Sequence, residues 1–422
     1  MAPAAPSRAS PLRRVAADAA GTVRSQWRSA VLPALVLWFL SAYVSVTLLH
    51  PYDVTEFAKY AHGALASPLL HRFPQEYPAP ALAVFVAPLL LGISYPWAFA
   101  MVVAVALVAL VTHYEGSGLP GWDTKAAGRL IIYLAIGSVM VLAGRYDLFA
   151  VLACFLSVRA ARQGRWSAAW TWSAVGCALK LFPAALWPVF AVAEWRLQRR
   201  LPVRRLWWVA GALMVTIGAP ALLDRGAVFN VVHYYLHRPT EMGSMAAGLS
   251  VLVDPSGSTW TESFRSTNVV SGITTPLSAG IELLGVGACV WTWWQQLRGR
   301  LSLEAACLAT LTFVVLGGKV VSVQYLMWLM PFWALYRLRL SWLLASAANV
   351  VVFPYSVTAT QFGYIPTHPF SVSLTLAFFA RDVLVAAGTV AWLRHVYERG
   401  PVSGDPARHA ALSRARGAPV RG

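Results

Sequence analysis

Three observations predict that this chain is an all-α polytopic membrane protein. Hydrophobic residues make up 58% of its 422 residues and charged residues only 12%, whereas a soluble domain carries about twice that charged fraction. Apolar stretches long enough to cross a bilayer recur along the chain, separated by shorter polar segments. The basic residues fall in clusters between those stretches, the pattern that sets membrane orientation. The formal net charge of +17 therefore orients the chain in a membrane and does not mark a nucleic-acid binder. Cys154, Cys177, Cys289 and Cys307 lie inside apolar stretches without metal-ligand spacing, and read as small core residues, not disulfides or zinc ligands.

The elements follow from the basic clusters. Residues 1–29 hold five arginines in an Ala/Pro/Ser-rich context, a disordered cytoplasmic tail without a signal-peptide cleavage pattern. Further clusters lie at Lys125/Arg129, at Arg159/Arg162/Arg165, from Arg196 to Arg205, at Arg298/Arg300, at Arg337/Arg339 and from Arg394 onward. Together they take 25 of the 34 Lys and Arg. If all of them are cytoplasmic, the stretches between them cross an even number of times.

That parity gives about twelve membrane segments, within a bundle of about 10–13 helices over residues 30–396. They are placed at 30–49, 80–112, 129–143, 147–160, 166–180, 183–195, 206–223, 272–296, 302–317, 320–336, 340–356 and 372–393. Both termini are then cytoplasmic, with a second disordered tail at 397–422. The 80–112 stretch contains Gly92 and Pro96, which break it into an interfacial helix and a span. Residues 129–160 and 166–195 are each too long for one crossing, and each folds as two short helices meeting at a polar turn, G-R-Y-D at 144–147 and L-K-L-F-P at 179–183. Helices of about 14 residues rise only about 21 Å, so their ends stop in a cavity below the outer surface. The segments 50–79 and 224–271 remain outside, the first as an outer loop and the second as a large loop with room for a short helix.

This topology gathers the remaining charges on one face. Asp53, Glu76, Arg145, Asp147, Lys180, His233, Arg238, Glu241 and Lys319 all map to the outer end of the bundle. Ionisable groups near membrane depth are costly and mark sites. Carboxylates mixed with fixed cations suit a hydrophilic, anionic ligand delivered from the lipid, such as a sugar phosphate.

Each residue has a structural reading beside the functional one. Asp53 is a general base for an acceptor hydroxyl, or a solvated or capping acid at a helix start. Glu76 is a second catalytic acid, or part of a rigid corner built by Tyr77, Pro78 and Pro80. Arg145 and Asp147 pair with each other, or Arg145 turns its planar fork to a phosphate while Asp147 faces substrate. Lys180 has no carboxylate near it in sequence, which points to a phosphate. Lys319 follows Gly317-Gly318 and either snorkels to the interface or meets phosphate. In Y-Y-L-H-R-P-T-E-M-G-S at 234–244, Arg238 suits phosphate, and His237 and Glu241 suit sugar hydroxyls. His233, Tyr77, Gln324 and Tyr325 complete the candidate substrate contacts. His233 and His237, with no evident third ligand, do not make a metal site. Arg381, Asp382 and Glu282, inside apolar stretches, are assigned to structural pairing across helices.

In its order of motifs the chain resembles glycosyltransferase family 87. The features are the early outer acid followed by E-Y-P, then G-R-Y-D, then a Gly176/Lys180/Pro183 turn, then R-P-x-E-x-x-S around Arg238 and K-V-x-S-x-Q-Y-L-x-W-L-x-P from Lys319 to Pro331. The resemblance covers residues 50–331. It implies a GT-C-like membrane bundle, a polyprenyl-phosphate sugar donor, an active site facing the periplasm or exterior, and Asp53 at the position of the catalytic acid. Lys180 and Lys319 match basic motif positions. Two places depart from the family pattern: E-Y-P-A-P stands where E-Y-P-P is common, and G-R-Y-D where many mannosyltransferases carry G-Q-x-N.

The function expected is a hexosyl transfer, mannose first and a pentose second, to a glycolipid or glycan of the cell envelope in a bacterial plasma membrane. Asp53 would act in an inverting displacement. No cofactor is expected; D-x-x-E at 53–56 is not the D-x-D of a metal-dependent site, and a divalent cation is left open. A transporter or flippase of polyprenyl-linked glycans is the alternative. It would show inverted repeats and midplane charges, and no repeat is visible.

Overall fold

The computed structural model describes residues 30–49, 52–66, 74, 76–115, 119, 122–200, 202–223, 229, 233–234, 236–361 and 368–399. The expected tail at 1–29, residues 400–422 of the expected tail at 397–422, and Arg72 of the first polar insert lie outside the described residues, while residues 397–399 continue the last helix. The described residues are mostly helical (79%). Among the described residues, three helices are long and apolar enough to cross a membrane: Tyr95–Tyr114, Val203–Leu222 and Ser371–Glu398. Leu32–Thr47, Ala79–Leu91, Leu303–Gly317 and Leu340–Phe353 are apolar but shorter.

Helix α1 (Leu32–Tyr43) continues through a π-helical turn to Leu49. The insert that follows is not all loop: residues Tyr52–Ala66 form α2, with Asp53 in its first turn. Val54, Phe57, Ala61 and Ala64 recur at helical spacing and are buried, so one face of α2 is bound to the bundle. Phe57 stacks on Phe85 with ring centroids 4.4 Å apart, and its burial stabilises the attachment by about 1.5–3 kcal/mol.

The 80–112 stretch divides as Gly92 and Pro96 anticipate. A short helix α3 (Leu82–Val86) lies between tight turns, the second of which (Ala87–Leu91) ends at Gly92, whose φ of 66° lies in the left-handed region, and α4 (Tyr95–Glu115) follows. Then come α5 (Thr124–Gly137), α6 (Asp147–Arg162), α7 (Trp166–Leu179), α8 (Trp187–Gln198), α9 (Leu206–Leu213) and, beyond a π-helical turn, α10 (Ala219–Leu223). The segment read as a large loop contains α11 (Met245–Val253) and an antiparallel hairpin, β1 (Thr259–Ser263) with β2 (Ser266–Val270), in the register Thr259–Val270 to Ser263–Ser266. The bundle closes with α12 (Thr274–Leu297), α13 (Leu303–Gly317), α14 (Leu326–Trp333), α15 (Leu340–Gln361) and α16 (His368–Arg399).

The two ends of the bundle differ chemically. Helix α6 starts at Asp147 and ends at Arg162, a rise of about 24 Å at 1.5 Å per residue. At its far end Arg162 meets Glu304 of α13 at 2.5 Å, and Arg205 reaches Glu194 at 3.3 Å. Helix α7 runs back from this arginine-rich end and delivers Lys180 beside Asp147. Helix α13 likewise starts at the paired Glu304 and hands the chain on toward Lys319.

A buried polar hub braces the other end. Arg381 of α16 is fully buried and pairs with Asp382 at 2.8 Å, its own neighbour in sequence. Its two terminal nitrogens also reach across the bundle, Nη1 donating to Asn349 Oδ1 at 3.1 Å and Nη2 to the Gly243 carbonyl at 2.8 Å. Asn349 in turn donates to the carbonyls of Gly137 and Val323. The ion pair expected across helices is therefore intrahelical, and it is hydrogen bonds that cross. Glu282, by contrast, is exposed on α12.

Candidate functional site

The site is built on helix ends. Arg145 and Lys180 both sit in extended backbone, Arg145 just before α6 and Lys180 just after α7. The Lys180 amide still donates to the Gly176 carbonyl at 2.8 Å, which caps α7. A Cβ at Gly176 would stand 3.1 Å from Pro183 and 3.3 Å from Ala153, so glycine lets the turn fold tightly onto α6. Extended residues at such ends aim their side chains out of the helical ladder and toward one another.

Two ion pairs result. Arg145 closes on Asp53, the carboxylate brought in by α2. Lys180 closes on Asp147 at 2.6 Å, and the Trp328 indole donates to the same carboxylate oxygen at 2.8 Å. Asp147 is thus a buried acid held by one cation and one neutral donor. The pairs form one field: the charges of Asp53, Asp147 and Glu241 all bear on Arg145, and those of Asp147, Arg145 and Asp53 bear on Lys180.

An aromatic wall stands behind the cations. The Lys180 ammonium lies 5.1 Å from the Tyr146 ring and 5.3 Å from the rings of Tyr325 and Trp328, within cation–π range. Trp328 is itself stacked between Tyr325 at 3.9 Å and Phe182 at 4.1 Å. On the other side Tyr77 packs edge-on to Tyr146 at 5.2 Å and to Phe57 at 5.6 Å. Burial, reinforced by Asp53, raises the Tyr77 phenol well above its ordinary range and keeps it protonated.

A second acidic group borders these pairs. Arg265, at the hairpin tip, places one guanidinium nitrogen 3.0 Å from Glu56 and 2.9 Å from Glu76. Tyr60 donates to the other Glu76 oxygen at 3.0 Å, and Lys59 pairs with Glu56 at 2.6 Å. Burial raises the Glu76 carboxyl above its ordinary range, with Arg265 and Tyr60 opposing the shift.

The 238–244 and 319–325 segments are tied together at the same end. The Glu241 amide donates to the Lys319 carbonyl at 2.9 Å, and Ser322 donates to the Glu241 carboxylate at 2.9 Å. Arg238 stands 3.6 Å from that carboxylate. A Cβ at Gly243 would come within 2.5 Å of the Val321 carbonyl, so only glycine permits this approach. The Lys319 ammonium donates to the Leu236 carbonyl at 3.3 Å. The side-chain carbonyl of Gln324 is buried without a hydrogen-bond partner among the described residues.

The structure therefore brings Asp53, Arg145, Asp147, Lys180, Tyr77 and Tyr325 into one cluster, with Glu76 beside it and Arg238, Glu241, Lys319 and Gln324 on the tied segments. His233 and His237 stack on each other at 4.0 Å and are exposed, and no contact among the described residues joins them to the cluster. Two sequence readings change. Arg145 pairs with Asp53 and not with Asp147, because the extended backbone at 145 points it away from the start of α6. Lys180, without a carboxylate near it in sequence, meets Asp147 in space. Glu56, Tyr146 and Trp328 lie within the D-x-x-E, G-R-Y-D and K-V-x-S-x-Q-Y-L-x-W motifs without a role read from them, and Tyr60 and Arg265 carry no local signal. Among the described residues no group of three or more His, Cys, Asp or Glu is arranged to hold a metal ion. Compared with known families and with curated proteins, the chain matches no family model and no curated sequence.

Proposed function

We propose that this chain is a GT-C-type membrane glycosyltransferase, resembling glycosyltransferase family 87, that transfers a sugar from a polyprenyl-phosphate donor to a cell-envelope glycolipid or glycan. Mannose is proposed first and a pentose second. The reading places about twelve membrane segments, both termini in the cytoplasm and the site on the outer face of a bacterial plasma membrane. One observation carries it: the Asp53–Arg145 and Asp147–Lys180 pairs share one field against one aromatic wall, at helix ends remote from the arginine clusters.

In this account the donor phosphate docks against Lys180 and Arg145, with Lys319 at the rim. Arg145 turns its fork to the phosphate oxygens, which releases Asp53 to the acceptor. Asp53 takes the proton of the acceptor hydroxyl as its oxygen attacks the anomeric carbon. The bond from that carbon to the phosphate oxygen breaks, and polyprenyl phosphate leaves with the electron pair. The cations are already in place to balance its charge, which is electrostatic preorganisation. A single displacement inverts the anomeric centre. Tyr77 and Tyr325, both only half-buried, border the space in which a sugar ring can pack, with Trp328 behind Tyr325.

The test is radiolabel transfer in vesicles containing the purified protein and a panel of polyprenyl-phosphate sugars. The proposal expects label in a new glycolipid when polyprenyl-phosphate mannose is supplied. Label that crosses the membrane still attached to polyprenyl phosphate would replace transfer with the flippase alternative.

A further inference from the structure

Helix α12 carries an apolar face that the bundle leaves uncovered, with Leu283 and Leu284 each 73% exposed. Between α12, α13 and α16 this surface is hollowed into a groove of about 700 Å³, within the roughly 300–1,000 Å³ of small-molecule sites. Gly280 and Gly287 line it, and a Cβ at either would meet nothing within 4 Å. Gly285 differs: its Cβ would come 2.9 Å from the Gly317 Cα, so close helix packing requires it. Protein packing does not account for Gly280 and Gly287, although glycine costs about 1 kcal/mol against alanine in a helix interior. They hold the groove open.

One end of the groove is cationic. Arg394 and Tyr397 line it, and the charge of Arg300 reaches the Tyr397 phenol. The Tyr397 hydroxyl is buried without a hydrogen-bond partner among the described residues. Both arginines belong to the clusters read as cytoplasmic, and the groove runs from them along α12 beside Trp291 and Phe313. Basic pockets between membrane helices on that side take anionic headgroups.

We propose that this groove binds an anionic phospholipid of the inner leaflet, an acyl chain lying over Gly287 and the phosphate meeting Arg394, Arg300 and the Tyr397 hydroxyl. The proposal rests on the membrane placement of α12 and α16 and not on sugar transfer; a catalytically inert protein would bind the same lipid. The cationic end also separates this site from the donor site, because Lys180 and Asp147 lie at the opposite end of the bundle.

The experiment is mass spectrometry of the full chain released from detergent after exposure to phosphatidylglycerol or phosphatidylcholine. Wild type should retain phosphatidylglycerol in preference. Gly287→Leu, which fills the groove in space the fold leaves open, should abolish retention. Arg394→Gln should weaken it about fivefold, the loss of one charge worth about 1 kcal/mol. If Gly287→Leu fails to fold, Arg394→Gln alone decides. Equal retention of both lipids, unchanged retention in the variants, polyprenyl phosphate as the bound species, or a dimer that Gly287→Leu dissociates would each overturn the proposal.

Discussion

Arg145 pairs with Asp53 across the bundle and not with Asp147 two positions along its own chain. Two carboxylates and two cations thereby alternate: Asp53, Arg145, then Asp147, Lys180, with Asp147 also bearing on Arg145. Such an arrangement is neutral as it stands, and it can accept a phosphate only by exchanging a carboxylate for it. Asp53, the more exposed of the two acids, is the one that can leave its partner for solvent or substrate.

Arg145→Ala should therefore remove both the phosphate fork and the group that orients Asp53. A loss of about 10²–10³ in kcat is expected, the cost of losing one preorganised donor at a developing charge. Arg145→Lys should recover only part, because an ammonium cannot present two parallel N–H groups. Initial rates of sugar transfer measure this, and an Arg145→Ala protein at wild-type rate would remove Arg145 from the site.

Lys180→Ala should weaken donor binding, seen as a raised KM. It also leaves Asp147 buried without its cation, which costs about 3–5 kcal/mol. The double variant Lys180→Met/Asp147→Leu separates the two effects. It should regain thermal stability, since apolar replacement of a buried pair is close to neutral, and should still fail to bind donor. Recovery of donor affinity in the double variant would show that Lys180 acts only by holding Asp147.

Glu76 gives a pH test with a definite sign. Burial is the largest influence and raises its folded carboxyl pKa above the ordinary 4.5. The folded state then holds more protons than the unfolded state above that pH, so Glu76 lowers stability as pH rises through the window. Relative to Glu76→Gln, wild type should lose Tm as pH rises from 4.5. A wild-type advantage that grows with pH would mean that the bridge to Arg265 outweighs burial.

Arg381→Leu should destabilise the whole bundle by about 3–5 kcal/mol, because Asp382 is left charged and buried. Gly243 and Asn349 also lose their donor, so the segments carrying Glu241 and Lys319 should loosen. Hydrogen exchange at 238–244 and 319–325 reads that directly. Exchange unchanged there, with stability lost, would make the hub a purely local support.

Helix positions were legible in the sequence because charge marks the ends of apolar stretches. The expected segments 147–160 and 166–180 correspond to Asp147–Arg162 and Trp166–Leu179, each bounded by an ionisable residue. Gly92 likewise announced the break before α4. The hairpin was missed, although Thr259, Trp260, Thr261, Val269 and Val270 are strand formers; polarity outweighed them. Partner choice was not legible at all. Nothing local joins Arg265 to Glu56 and Glu76, or Lys180 to Asp147, since those contacts depend on how distant helix ends converge. Nor could spacing show that α2 makes half of the insert a fixed helix with Asp53 in its first turn.

The most direct measurement is sugar transfer by purified Asp53→Asn, compared with wild type, together with donor binding by both. Asparagine keeps the shape and a hydrogen bond to Arg145 but cannot take a proton. The account predicts transfer lost and polyprenyl-phosphate sugar still bound. Turnover by Asp53→Asn near the wild-type rate would contradict it.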